Sequence, residues 1–339
     1  MRIIDSHFHW WPRSFFEALC RRPDYPRAAP TPDGGYNYWR REGSTGLLNL
    51  EPEWFDLEHE LSHMDDLAHE VGVVCSIGPL SLHFSDVSVE EGRDAALHWN
   101  EEMARAQSRY PGRVWASAAV PLQDTKVALD VLDHAINKLG LMGVNLPGSI
   151  GDDPRIDAPR LEPFYARVAE LGIPIFLHPT DAVFHDILEG YEGALHLTLG
   201  RVMEVSTAAL RLVFSGVMER HPDLTLIMSH TGGALPYQSG RIDKNGGRAR
   251  LPQLPSTYLK RMFTDTVSPH TLGLKFAIEY YGIDYVMYGT DYPCWDPATA
   301  LKLIAALNLS QQDQEKLFYK NARRILRLPQ PAALGTVHA

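Results

Sequence analysis

The chain has 339 residues, 45% of them hydrophobic and 22% charged, and a formal net charge of −10. That length supports a large core, and α/β barrels commonly run past ~200 residues as one unit. The acidic balance without a basic run argues against nucleic acid, and no apolar run nears the ~20 residues that span a bilayer. Three scattered cysteines without a CxxC argue against a disulfide framework, and the first residues lack a signal-peptide pattern, so a cytoplasmic protein is expected.

The opening residues run from an apolar pair through Asp5 to His7 and His9. Residues i and i+2 of a strand share a face, so both imidazoles can aim at one point, as ligands for a borderline metal such as Zn²⁺ do. A Pro-, Arg- and Tyr-rich stretch with weak periodicity follows, over residues 12–55. Trp11, Trp39 and Trp54 at its borders and middle predict an ordered insertion, a lid over a pocket.

Apolar runs then alternate with helical spacing. Strands are expected at 71–77, 114–121, 142–146, 173–179, 224–230, 262–266 and 285–291. Helical segments are expected at 56–70, 90–108, 124–139, 161–171, 197–221, after Gly233, and at 270–281, 298–307 and 310–328. Eight strands alternating with helices predict a (β/α)₈ TIM barrel, distorted, with the insertion after its first strand. A doubly wound sheet would want a Gly-rich turn after an early strand, and none is present. The expected organisation is one domain over residues 1–328 and a tail at 329–339.

Active sites in such barrels lie at the C-terminal ends of the strands. His7 and His9, His178, His230 and Asp291 all fall there, each after an apolar run that anchors its backbone. Five metal-competent side chains converging on one rim are far more specific than any single histidine. Asp5 reads as a supporting residue. Trp10, Trp11 and Trp295 border the ligand-bearing strands and can stack on an aromatic or conjugated acid. His185 and His270 lie in loops on the same face.

The Asp5-x-His7-x-His9, His178-Pro179, Ser229-His230-x-Gly-Gly and Gly289-Thr290-Asp291-Tyr292-Pro293 motifs resemble the amidohydrolase superfamily. Within it they are most similar to the branch of aminocarboxymuconate-semialdehyde decarboxylase and the resorcylate-type decarboxylases. The resemblance implies one divalent metal, Zn²⁺ or Mn²⁺, with His7, His9, His178 and Asp291 as ligands and His230 as catalytic histidine. The strand at 142–146 carries no lysine to bridge a second metal. Three imidazoles and a carboxylate leave a coordination position open, and Asp291 can also pass a proton. Arg241 matches an arginine that clamps a substrate carboxylate, often across a homodimer interface, and Arg40 or Arg41 matches a second. Glu204 matches a carboxylate of relatives, although residues 200–203 depart from their pattern. The expected function is non-oxidative decarboxylation of an aromatic or unsaturated carboxylic acid. The alternative is a hydrolase of a lactone, amide, ester or C–C bond at the same mononuclear site. A non-catalytic acid binder is a third reading.

Overall fold

A computed structural model describes residues 2–42, 50–68, 70–180, 183–184, 187–268 and 270–328. The expected tail at 329–339 and His185 lie outside them. Among the described residues, nine strands occur in chain order: β1 (Arg2–His9), β2 (Arg27–Pro30), β3 (Tyr36–Trp39), β4 (Glu70–Ser76), β5 (Val114–Ala118), β6 (Gly143–Pro147), β7 (Pro174–His178), β8 (Thr225–Met228) and β9 (Phe263–Thr264). Seven form one parallel sheet in the order β1-β4-β5-β6-β7-β8-β9. Parallel neighbours need crossover connections, and the helices between them supply these.

The eighth expected strand, residues 285–291, does not form a regular ladder. It is an extended segment that closes the barrel through isolated bridges. Val286 bridges Thr264 on one side and Tyr292 bridges Phe8 on the other. Ser6 N–H donates to Tyr288 O at 2.9 Å and Met287 N–H to Thr264 O at 2.8 Å. This is the distortion of the barrel, and it frees the segment carrying Asp291 from strand geometry.

The core follows the alternation of the strands. Ile4, Val74, Phe176, Ile227, Phe263 and Met287 pack together with Ala322 and Leu326 from the C-terminal helical segment. Residues facing the other way, among them Ile3, Val71, Val73, Val144 and Ile175, join the larger shell under the helices.

The insertion is more regular than its composition indicates. Helix α1 (Arg13–Cys20) buries Phe15, Phe16 and Leu19. Strands β2 and β3 form an antiparallel hairpin, and Phe16 packs on Tyr36 and Phe55 with ring centroids 5.2 and 5.0 Å apart. Helix α2 (Leu57–Asp65) starts at Asp56, whose carboxylate accepts from Glu58 and His59 N–H. Asx capping of this kind satisfies backbone donors that a helix start leaves open.

Glu60 in α2 is fully buried, and neither carboxyl oxygen has a hydrogen-bond partner. Burial, aided by Asp56, pushes its pKa well above the ordinary carboxyl range. A carboxyl raised by folding contributes its stability in full below its unfolded pKa and loses it as pH rises through the folded value. Glu60→Met is therefore expected to flatten the alkaline fall in thermal stability. It should gain about 1–3 kcal/mol above the raised pKa, the usual cost of an unsatisfied buried polar group. Melting curves from pH 6 to 9 measure this, and parallel profiles for wild type and variant would contradict it.

Candidate metal centre

His7 and His9 stand two residues apart at the end of β1, where a one-residue register shift lies between Asp5 and Phe8. His178 closes β7. Asp291 follows the irregular eighth segment with a left-handed φ of 62°. Asp5 holds that segment in place: its carboxylate accepts from Thr290 N–H at 3.1 Å and Thr290 Oγ1 at 2.6 Å. Burial pushes the Asp5 carboxyl up to about 7 against those hydrogen bonds. Asp291 does not cap the next helix, which begins at Pro297 and is capped by Asp296.

The four side chains converge. His9 Nε2 lies 2.8 Å from Asp291 Oδ1, His7 Nε2 3.2 Å and His178 Nε2 3.9 Å. His7 Nε2 and His9 Nε2 are 3.2 Å apart. All four residues are buried, and one ligand atom from each lies within 4.8 Å of the others. Metal–ligand distances of ~2.0–2.1 Å in a tetrahedron put donor atoms ~3.3 Å apart. His178 Nε2 and Asp291 Oδ2 are buried with no hydrogen-bond partner. Such orphaned donors and acceptors are rare without a bound group. The set fits a single divalent metal ion.

Each ring is also fixed from behind. His7 Nδ1–H donates to Asp265 Oδ2 at 2.6 Å, His9 Nδ1 meets Ser76 Oγ at 3.0 Å, and His178 Nδ1–H donates to Pro179 O at 2.7 Å. These bonds leave Nε2 of each ring as the ligand atom. Trp11 stacks on His9 with centroids 5.7 Å apart and anchors its own Nε1–H on Ile77 O at 3.0 Å. Burial lowers the pKa of His9 and sends His178 well below the ordinary value, a direction that favours the neutral imidazole in both. Burial acts the same way on His7, but the Asp291 and Asp265 carboxylates outweigh it and hold the ring at about 10. Burial would raise Asp291, yet the surrounding histidines, His7 foremost, hold it well below the carboxylate range.

His230 stands beside this set, with Nε2 3.5 Å from Asp291 Oδ2. Its Nδ1 is buried without a hydrogen-bond partner. His230 and Thr231 both have left-handed backbones, at φ 56° and 53°.

Gly78 leaves room for the His9 ring. A Cβ there would come within 2.5 Å of His9 Cε1, and the φ of +57° is one that side chains rarely adopt. Gly78→Ala is expected to displace His9 and weaken metal binding by at least ~10-fold, in the range seen when ligand support is lost. Metal titration of the purified variant measures this, and an unchanged affinity would contradict it.

The remaining residues singled out in the sequence fall elsewhere. Arg40, after β3, forms a fork with Asp86 at 2.6 and 2.8 Å and reaches Asp152 at 2.9 Å, while Arg41 meets Asp152 at 3.0 Å. Both arginines thus tie the insertion to loops after β4 and β6. Arg241 is exposed on the helix Leu235–Gly246. Trp10 lines a groove with Arg13, Phe55, Glu102, Arg105 and Tyr110, none of them a residue of the metal set. Trp295 is 45% exposed. Glu204 is buried, accepting from Thr180 N–H at 3.0 Å and Thr180 Oγ1 at 2.6 Å behind His178.

Asp265, Ser76 and Gly78 were not identified as site residues from sequence. Asp265 ends the run Met262-Phe263-Thr264, so its position at a strand end was the available signal. Ser76 ends β4 and Gly78 follows it, and neither is a metal-ligating residue type that would draw attention in sequence.

Among proteins of known activity, the chain is 31% identical over 300 residues to a gamma-resorcylate decarboxylase of Rhizobium radiobacter, covering 81% of this chain and 90% of that one. It is 31% identical over 211 residues to a 2-amino-3-carboxymuconate-6-semialdehyde decarboxylase of Dictyostelium discoideum, covering 60% and 58%. The structure superposes on 2,6-dihydroxybenzoate decarboxylase in complex with 2,6-dihydroxybenzoate with a TM-score of 0.76, at 25% identity, over 96% of this chain and 99% of that one. The amidohydrolase family profile matches residues 4–328. With its distorted barrel and rim-borne ligand set, the chain belongs to the amidohydrolase family, in its decarboxylase branch.

Proposed function

We propose that the protein is a metal-dependent, non-oxidative decarboxylase of an aromatic or unsaturated carboxylic acid. The observation that carries this reading is the pairing of a buried four-ligand set with a free imidazole, His230, 3.5 Å from the ligand carboxylate Asp291. The two decarboxylase relatives support it. A divalent ion held there, Zn²⁺ first on the chemistry of three imidazoles and a carboxylate and Mn²⁺ second, would supply positive charge that stabilises negative charge on the substrate.

The chain's own residues do the rest. His7, His9, His178 and Asp291 hold the ion. His230 delivers a proton to the carbon that loses CO₂, and Asp291, in reach of His230 Nε2, takes part in that transfer. Arg241 orients the acid. It is exposed, one helical turn from Tyr237, which is 80% exposed and faces Phe276 with ring centroids 6.4 Å apart. Leu272, 69% exposed, adds to this apolar surface, which suits a second copy of the chain. A homodimer is therefore part of the proposal. Among the described residues, no helix is long and apolar enough to cross a membrane, and a cytoplasmic location is proposed.

The test is a panel of hydroxybenzoic and muconate-type acids. CO₂ release that chelation abolishes, and that one equivalent of Zn²⁺ or Mn²⁺ restores, is expected. Hydrolysis products alone would overturn the reading in favour of a hydrolase.

A further inference from the structure

Asp265 is almost fully buried and is the acceptor for four donors from three segments. Oδ2 accepts His7 Nδ1–H at 2.6 Å and His230 N–H at 3.0 Å. Oδ1 accepts Thr231 N–H at 2.9 Å and Val267 N–H at 3.0 Å. One carboxylate thus binds the back of a metal ligand and both amides of the left-handed turn that carries His230. A β-carbon at Gly289 would approach His7 Cβ to 2.8 Å and Asp265 Cβ to 2.9 Å, so these side chains are packed where only glycine fits.

We propose that Asp265 is a positioning residue that couples the metal centre to the presentation of His230. The coupling has two halves. The first is the His7 tautomer: with Nδ1–H given to a carboxylate, Nε2 turns its lone pair to the metal position, and the negative charge behind the ring strengthens it as a ligand. The second is the turn. Two consecutive left-handed residues are unfavourable for side chains other than glycine, and His230 and Thr231 adopt them at φ 56° and 53°. Their amides converge on Asp265, which holds the turn in that form and sets the His230 ring beside Asp291. A shift of Asp265 therefore moves a ligand and the proton-transferring histidine together.

The inference rests on the proposed roles of the metal set and of His230. Its test separates the halves. Asn in place of Asp265 keeps the volume but has one acceptor oxygen. Whichever way its amide turns, an NH₂ group faces two of the four donors. Metal affinity is measured without substrate, by competition of Mn²⁺ with a chromophoric chelator, for wild type, Asp265→Asn, Asp265→Ala and His230→Ala. Expected are a 10- to 100-fold loss for both Asp265 variants, a changed visible spectrum of the Co²⁺-loaded Asp265→Asn protein, and no loss for His230→Ala. At saturating Mn²⁺, kcat of Asp265→Asn should stay at least ~10-fold below wild type with KM nearly unchanged, as expected for disturbed general acid catalysis. Wild-type metal affinity in Asp265→Asn overturns the proposal, and so does full recovery of kcat at saturating metal. Should wild type decarboxylate no acid while both variants lose metal, the proposed function fails and the metal half of the inference stands.

Discussion

His178→Ala is expected to lose its divalent metal on dialysis, with affinity lowered by more than ~100-fold, beyond the loss seen when only an outer partner of a ligand is removed. His178 Nε2 is buried and has no hydrogen-bond partner, which leaves its lone pair available to a metal ion. Its ring is fixed by Nδ1–H to Pro179 O at 2.7 Å, and the side chain is 6% exposed. No neighbouring side chain of the set can take its place, because His7, His9 and Asp291 already contribute. Elemental analysis of dialysed protein, with a chelator competition titration, measures the effect. Full occupancy in the variant would remove His178 from the ligand set. Catalysis should fall with metal content and recover only in part at high metal concentration.

His230→Ala should behave in the opposite way. It is expected to keep one metal per chain while kcat falls by about 10³, within the range for loss of a general acid or base. Both ring nitrogens of His230 are free of protein hydrogen bonds shorter than its 3.5 Å approach to Asp291, and its side chain is 11% exposed. That is the environment of a group that meets substrate. His230→Gln keeps polar bulk without an exchangeable ring proton near neutral pH, so it should be as impaired as the alanine variant. Steady-state kinetics at saturating metal check this. A variant retaining wild-type kcat would assign proton delivery to another residue.

The convergence of His7, His9, His178 and Asp291 was legible in sequence because each follows an apolar run. Strand periodicity put His7 and His9 on one face, and the burial pattern of Arg2–His9 bears out the anchoring of that strand in the core. His178 is likewise the last residue of a fully buried strand. Periodicity fails where elements are short or bent. Strand β9 is only two residues long, so the one signal that marks Asp265 is its place at the end of an apolar run. The eighth segment reads as a strand because its residues are apolar, yet it makes only bridges, and Asp291 needs a left-handed backbone that no strand contains.

Two further differences have the same origin. Helix α1 is only eight residues long and lies between Pro12 and Arg21-Arg22-Pro23, so its apolar face of Phe15, Phe16 and Leu19 was too short to register. The helical region expected over 197–221 is broken at Gly216, whose φ of 79° ends Arg201–Phe214 and starts Val217–Arg220. Loop contacts are the least legible of all. Arg40 and Arg41 carry the charge suited to a carboxylate, but their partners, Asp86 and Asp152, lie 46 and 112 residues away from Arg40. Sequence shows the arginine and not the acid that already occupies it.

The proposed reaction is removal of CO₂ and return of a proton to carbon. It is tested most directly by ¹³C NMR of metal-loaded enzyme in D₂O with a carboxyl-labelled dihydroxybenzoic or muconate-type acid. Release of ¹³CO₂ with one deuterium at the vacated carbon is the expected result. Retention of the ¹³C-carboxyl group in a hydrolysed product would contradict it.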